Sequence, residues 1–165
     1  MEEKNMRKFL VALLATFTLM GTVAFADGHE TGSTQWFGVS TGYPVGINLH
    51  YGLKDLLMPD LDLRVNVTAA SFDFATFSVI GGVDALYQLN LETVDDLPLD
   101  VYAGGGLNIG ASLGATTQLS LSLSGLAGAE YMLTDELGVY GEARVGLGIP
   151  QIFQPALSVG LNFHF

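Results

Sequence analysis

The 165-residue chain contains no cysteine, which removes disulfide frameworks, thiolate-ligated zinc, iron–sulfur clusters and thiol catalysis together. Bases are nearly as scarce: six Lys and Arg stand against 17 Asp and Glu, for a net charge of -11. A nucleic-acid binder needs a surplus of positive charge to displace counterions from phosphates, so that class is excluded. Charged residues of either sign make up only 14% of the chain, while 49% is apolar and the mean hydropathy is +0.41. That is too apolar for disorder and high for an ordinary soluble domain of this length. Glycine, by contrast, is abundant, at 21 positions.

The first segment reads as an address. Lys4, Arg7 and Lys8 precede an uncharged, mostly apolar stretch from Phe9 to Met20, which leads to Ala24-Phe25-Ala26, the small-x-small pattern of a signal-peptidase site. Residues 1–26 are therefore expected to be a cleaved secretory signal, with Met6 a second possible start. The rival reading is an uncleaved anchor helix, but Thr16, Thr18, Gly21 and Thr22 interrupt its apolar run. Residues 27–34, with Asp27-Gly28-His29-Glu30, read as a flexible tail. Beyond the signal only Lys54, Arg64 and Arg144 remain as bases.

From Gln35 onward the period is two. Leu61, Leu63, Val65 and Val67 alternate with Asp62, Arg64, Asn66 and Thr68, and Leu119 to Ser124 is a strict Leu-Ser repeat. Turn signals divide residues 35–165 into eight expected strands, at 35–41, 44–52, 61–71, 75–90, 99–113, 117–133, 137–149 and 155–165. No linker splits them, so one domain is expected.

Which parity faces water decides the class. In a soluble sandwich or ligand-binding barrel the apolar parity turns inward and a charged parity coats the outside. Here the second parity is mostly Gly, Ser and Asn, a poor coat. Reversing the sheet resolves this: apolar side chains meet lipid, and small and polar ones fill the interior. A closed barrel is the one sheet that can cross a bilayer, because each backbone N–H and C=O finds its partner within the protein. The expectation is thus all-β: an eight-stranded antiparallel up-and-down transmembrane barrel. Tyr51, Tyr87, Tyr131 and Phe163 recur near the same end of alternate strands, as an aromatic girdle at a membrane interface would. Phe72, Phe74 and Phe153 are candidates for the opposite rim.

Ser158-x-Gly160-x-x-Phe163-x-Phe165, with phenylalanine last, resembles the terminal-strand signal read by the assembly machinery of Gram-negative-type outer membranes. With the secretory signal and eight alternating segments, the chain resembles the small eight-stranded outer-membrane proteins, the OmpA, OmpX and OmpW-like group. The resemblance implies an outer-membrane location, lipid contact and recognition of the C-terminal strand by barrel assembly machinery. Two departures stand out: no peptidoglycan-binding domain is expected after the last strand, and the outer loops are short and nearly uncharged rather than long and polar. Adhesion through long loops is therefore not expected.

Inward parity gathers Asp62, Arg64, Asp84, Asp100, Glu130, Glu142 and Arg144, which are expected to form an ion-pair network plugging the lumen. A gate or cation site is the sharper alternative, because the acids outnumber the bases. Gly104, Gly106, Gly110, Ser112, Ser120, Ser122, Ser124, Gly146, Gly148 and Thr68 suggest a cup in the other half, room for water or a small ligand. Catalysis has little support: His50 and His164 have no nucleophile at a strained turn, and His164 is expected to be solvated at the rim. No cofactor or metal spacing is evident among His29, His50 and His164. The acidic turns, with Asp55, Asp60, Glu92, Asp95, Asp96, Asp135 and Glu136, and an almost neutral opposite rim suggest docking to a larger surface-protein complex. The expected role is structural or docking, with a narrow channel or binding barrel for small solutes as the alternative.

Overall fold

The computed structural model describes residues 34–71, 77–89, 99–113, 117–149 and 153–165. The expected signal, nearly all of the tail, Phe72, Phe74, Glu92, Asp95 and Asp96 lie outside the described residues. The strands are β1 (Gln35–Tyr43), β2 (Val45–Met58), β3 (Leu61–Ser71), β4 (Phe77–Leu89), β5 (Leu99–Leu113), β6 (Gln118–Met132), β7 (Leu137–Ile149) and β8 (Gln154–His164). Each pairs antiparallel with its sequence neighbour, and β8 returns to β1, closing a barrel. The shortest strand has 9 residues and the longest have 15, enough to span a bilayer when tilted.

Alternation sets the register. Tracing ladder partners from Gln35 through Leu53, Leu63, Ala85, Gly105, Gly125 and Val145 reaches Pro155, two residues beyond the last β1–β8 pair, Tyr43 with Leu157; carrying that register on gives a stagger of about ten residues around the ring. A stagger of that size tilts the strands and leaves eight of them an interior that side chains can fill.

The two faces are inverted relative to a water-soluble barrel. Leu121 is 53% exposed and Val145 45%, whereas Arg64 is 3% exposed and Glu142 8%. Leu107, Ile109, Leu123, Leu147, Leu157 and Val159 continue the apolar exterior. An apolar belt spread over all eight strands far exceeds the patches that soluble monomers expose. Hydrocarbon is the solvent it matches, and ring closure leaves no bare strand edge there.

The main departure from the expected strand limits is β2, which was expected to end at residue 52 and instead runs to Met58. Leu53 pairs with Leu63 but Met58 pairs with Leu61, so the intervening residues bulge from the ladder. Asp55 and Asp60 there take left-handed φ values of 53° and 65°, a conformation Asp tolerates by bonding locally. The Asp60 amide donates to Asp55 Oδ1 at 2.7 Å, and the Asp55 amide donates to Asp62 Oδ1 at 3.0 Å. Leu56, Leu57 and Met58 stand exposed on the bulge.

Inward glycines make the narrow interior possible. A Cβ at Gly106 would overlap the Asp84 carboxylate, and one at Gly38 would overlap His50 and Asn162. At the outward positions Gly125 and Gly141 a Cβ meets nothing within 4 Å. Gly106→Ala is therefore expected to lose about 1–3 kcal/mol of stability by overpacking. Gly125→Ala should hold or gain up to about 1 kcal/mol. Denaturant unfolding in detergent micelles, followed through the single tryptophan, Trp36, would measure both.

Candidate functional site

The centre of the lumen holds four charges on three strands. Arg64 on β3 donates from Nε and Nη2 to Asp84 Oδ2 on β4, at 3.0 and 2.9 Å, and from Nη2 to Glu142 Oε2 on β7 at 2.7 Å. Arg144, also on β7, donates to both Asp84 oxygens at 2.9 and 2.7 Å and to Glu142 Oε1 at 3.2 Å. Asn66 Nδ2 gives Asp84 a further bond at 2.9 Å, and the Tyr102 hydroxyl donates to Glu142 at 3.2 Å. In an eight-strand ring β3 and β7 lie opposite each other, so the Arg64–Glu142 pair crosses the lumen. The two guanidiniums and two carboxylates cancel, and their mutual bonds offset the loss of water around buried charge.

The expected single network is in fact divided. Asp62 lies apart, accepting from Gln88 Nε2 at 2.7 Å and from the Asp55 amide. Glu130 on β6 pairs with His164 on β8 at 2.7 Å. Asp100 faces Glu130 in the β5–β6 register but is exposed, and among the described residues nothing joins it to the central four charges. It is the second residue of β5, where a short side chain at a strand end reaches solvent. His164 also departs from expectation: it is 5% exposed, because Glu130 binds it and Trp36 stacks on its ring with centroids 6.4 Å apart. His50 contacts amides rather than a nucleophile, with Nε2 2.7 Å from Asn162 Oδ1 and Nδ1 3.4 Å from Asn48 Nδ2.

Toward the end where β1 begins and β8 finishes, the lumen is filled by Trp36, Leu86, Tyr102 and Leu126, a buried apolar layer in which Trp36, Leu86 and Leu126 were not expected. Its signal was present: Leu86 shares the parity of Asp84 and Gln88, and Leu126 that of Ser124 and Gly128. Toward the opposite end lies a cavity of about 130 Å³. Thr68, Ser122, Ser124 and Gly146 line it as expected, joined by Asn48, Asn66 and Asn108. Gly106 opens no space there, since the Asp84 carboxylate occupies its position, and a Cβ at Gly148 would overlap Ser122.

Tyr87, Tyr131 and Phe163 are exposed on the outer face, and Tyr51 is half-buried. The Tyr51 hydroxyl donates to Gln35 Oε1, and its ring lies 6.4 Å from that of Phe165. Phe163 and Phe165 face outward at the β1–β8 seam, while Gly160 allows Ser40 and Tyr140 close approach inside. Ser158 lines the cavity, and Phe153 is exposed at its end of the barrel.

No family model matches the sequence, and no curated protein does. Solved structures do. The N-terminal β-barrel domain of Pseudomonas aeruginosa OprF superposes with a TM-score of 0.64 at 15% identity, covering 82% of this chain and 100% of that one. Neisserial surface protein A gives 0.56 at 19% identity, with 79% and 93% covered. A major outer membrane protein from Thermus thermophilus gives 0.52 at 17% identity, with 79% and 99% covered. The chain has the fold of the small eight-stranded outer-membrane barrels.

Removing Asp84 would leave two largely buried guanidiniums with Glu142 as their one shared carboxylate, an uncompensated positive charge. Asp84→Ala is expected to cost about 3–5 kcal/mol, as for other buried pairs broken on one side. Asp100→Ala should stay within about 0.5 kcal/mol of the parent. Equilibrium unfolding of the two variants in the same micelles provides the comparison.

Proposed function

We propose that this chain is an integral outer-membrane barrel whose lumen is closed, and that it serves the envelope as a structural or docking element rather than as an open pore. The observation that carries this reading is the salt bridge thrown across the lumen between Arg64 and Glu142, backed by Arg144–Asp84 and by the apolar layer around Trp36. Ion pairs that span a narrow interior leave no continuous water path, and a plug of this kind stiffens the wall. The outward apolar belt supports lipid as its surroundings. Export with cleavage near Ala26, and delivery through the C-terminal strand to barrel assembly machinery, belong to the same reading. Ser158, Gly160, Phe163 and Phe165 would carry that recognition. The exposed Phe153, at the nearly neutral rim opposite the acidic turn residues Asp135 and Glu136, supports contact of that rim with a larger surface assembly. A solute-holding role is the second reading, favoured by the cavity above the central charges.

Purified protein should need detergent, migrate differently on gels before and after boiling, and show no steady current in a planar bilayer. Arg64→Ala and Arg144→Ala are expected to introduce measurable current, because each removes a bond that crosses the interior. A parent protein that conducts steadily would defeat the plug, whereas variants that conduct no better than the parent would assign closure to the apolar layer around Trp36 rather than to a gate formed by the ion pairs. Cross-linking in intact envelopes followed by affinity capture tests docking, and recovery of the barrel alone argues against a partner.

A further inference from the structure

We propose that the cavity beyond the central charges is a binding site for an uncharged, polyhydroxylated ligand the size of a single sugar ring. The inference deepens the solute-holding reading and rests on it.

Charge balance argues first. Arg144 borders the cavity, yet it is bound by both oxygens of Asp84 and by Glu142. An anion approaching it meets two carboxylates in direct contact with it, and a cation meets the guanidinium. The floor therefore favours neither sign. It offers amides and hydroxyls instead, held in place by bonds of their own. Asn66 is fixed through Nδ2 to Asp84, Asn108 donates to Ser124 Oγ at 3.1 Å, and Thr68 donates to Asn48 Oδ1 at 3.1 Å. Asn66, Asn108 and Ser124 are all at least nine-tenths buried, so their positions are set before any ligand arrives.

The wall supplies unused capacity. Ser122, Gln154 and Ser158 line the cavity and make no side-chain hydrogen bond among the described residues. Hydroxyl and amide groups can each donate and accept, which suits a ligand whose own hydroxyls do both. Pro44, Pro155 and Ala156, beside β1 and on the adjoining β8, give the cavity an apolar side, and a sugar ring presents C–H groups to such a surface while its hydroxyls face the amides. A volume of about 130 Å³ is close to the roughly 150 Å³ of a cavity that takes up a single six-membered carbon ring.

Amide chemical shifts of the labelled, full-length barrel in micelles provide the test, with glucose, glucosamine and glucuronate as probes of one size and three charges. Glucose should produce saturable shifts confined to residues around Ser122, Gly146 and Ser158. Both charged sugars should bind at least about tenfold more weakly. Gly146→Leu should fill the cavity, since the nearest atoms to a Cβ there belong to Gln154 and lie at 3.4 Å or beyond, and it should abolish the shifts. The paired change Ser122→Ala with Ser158→Ala should weaken binding several-fold and covers the case in which the leucine variant does not fold. Methyl glucoside distinguishes sources: binding equal to glucose points to the end of a glycan chain, and loss of binding to a free sugar. Linear, unsaturating shifts with all three probes, or tighter binding of either charged sugar, would overturn the proposal. A barrel that keeps its heat-dependent mobility and shows no current yet ignores glucose would overturn the ligand alone and leave the plug standing.

Discussion

A peptide group that cannot reach water has to reach another peptide group, and most of this architecture follows from that requirement. Within hydrocarbon each unpaired N–H or C=O costs several kcal/mol, so a sheet survives there only as a ring. Ring closure in turn demands the stagger, the stagger sets the diameter, and eight strands at that diameter leave an interior only side chains wide. The inversion of polarity is a result of the same requirement. With the backbone satisfied internally, side chains sort by solvent, which leaves Leu121 and Val145 outside and Arg64 and Glu142 within.

Inside so narrow a ring, packing and electrostatics become one problem. The Asp84 carboxylate sits where a Cβ on Gly106 would stand, and His50 and Asn162 occupy the position of one on Gly38. Polar groups brought this close can satisfy one another without water, as His50 and Asn162 do at 2.7 Å. The lumen then has layers: an apolar fill around Trp36 toward the terminal end, cancelling charges in the middle and an amide-lined cavity beyond them. Charge cancellation in the middle layer is what makes the cavity above it chemically neutral.

Much of the fold was legible because a period of two is visible wherever the two faces differ in composition. Leu119 to Ser124 and Leu157 to His164 declare both strand and orientation. Strand limits agreed closely except at β2, where the continuation past residue 52 depends on Asp55 and Asp60 adopting left-handed conformations through bonds to neighbouring carboxylates. No periodicity carries that information. Parity also identified the inward charges, but parity says nothing about depth or about the far wall. Asp100 shares the register of Glu130 yet ends at the surface, and Glu130 turns to His164, a partner two strands away around the ring. Leu86 and Leu126 were overlooked for the opposite reason, being apolar residues on a parity read as polar.

The seam between β1 and β8 pairs Trp36 with His164 and Phe37 with Phe163, residues separated by nearly the whole described chain. Contacts of such long sequence separation form late, because the entropy of closing the loop is lost before any bonding returns it. Until then every hairpin carries a bare edge and one greasy side, and no subset of strands escapes both. A polypeptide organised this way has no safe half-built form in water: until the last strand is seated, its open edges and apolar side invite association with other chains.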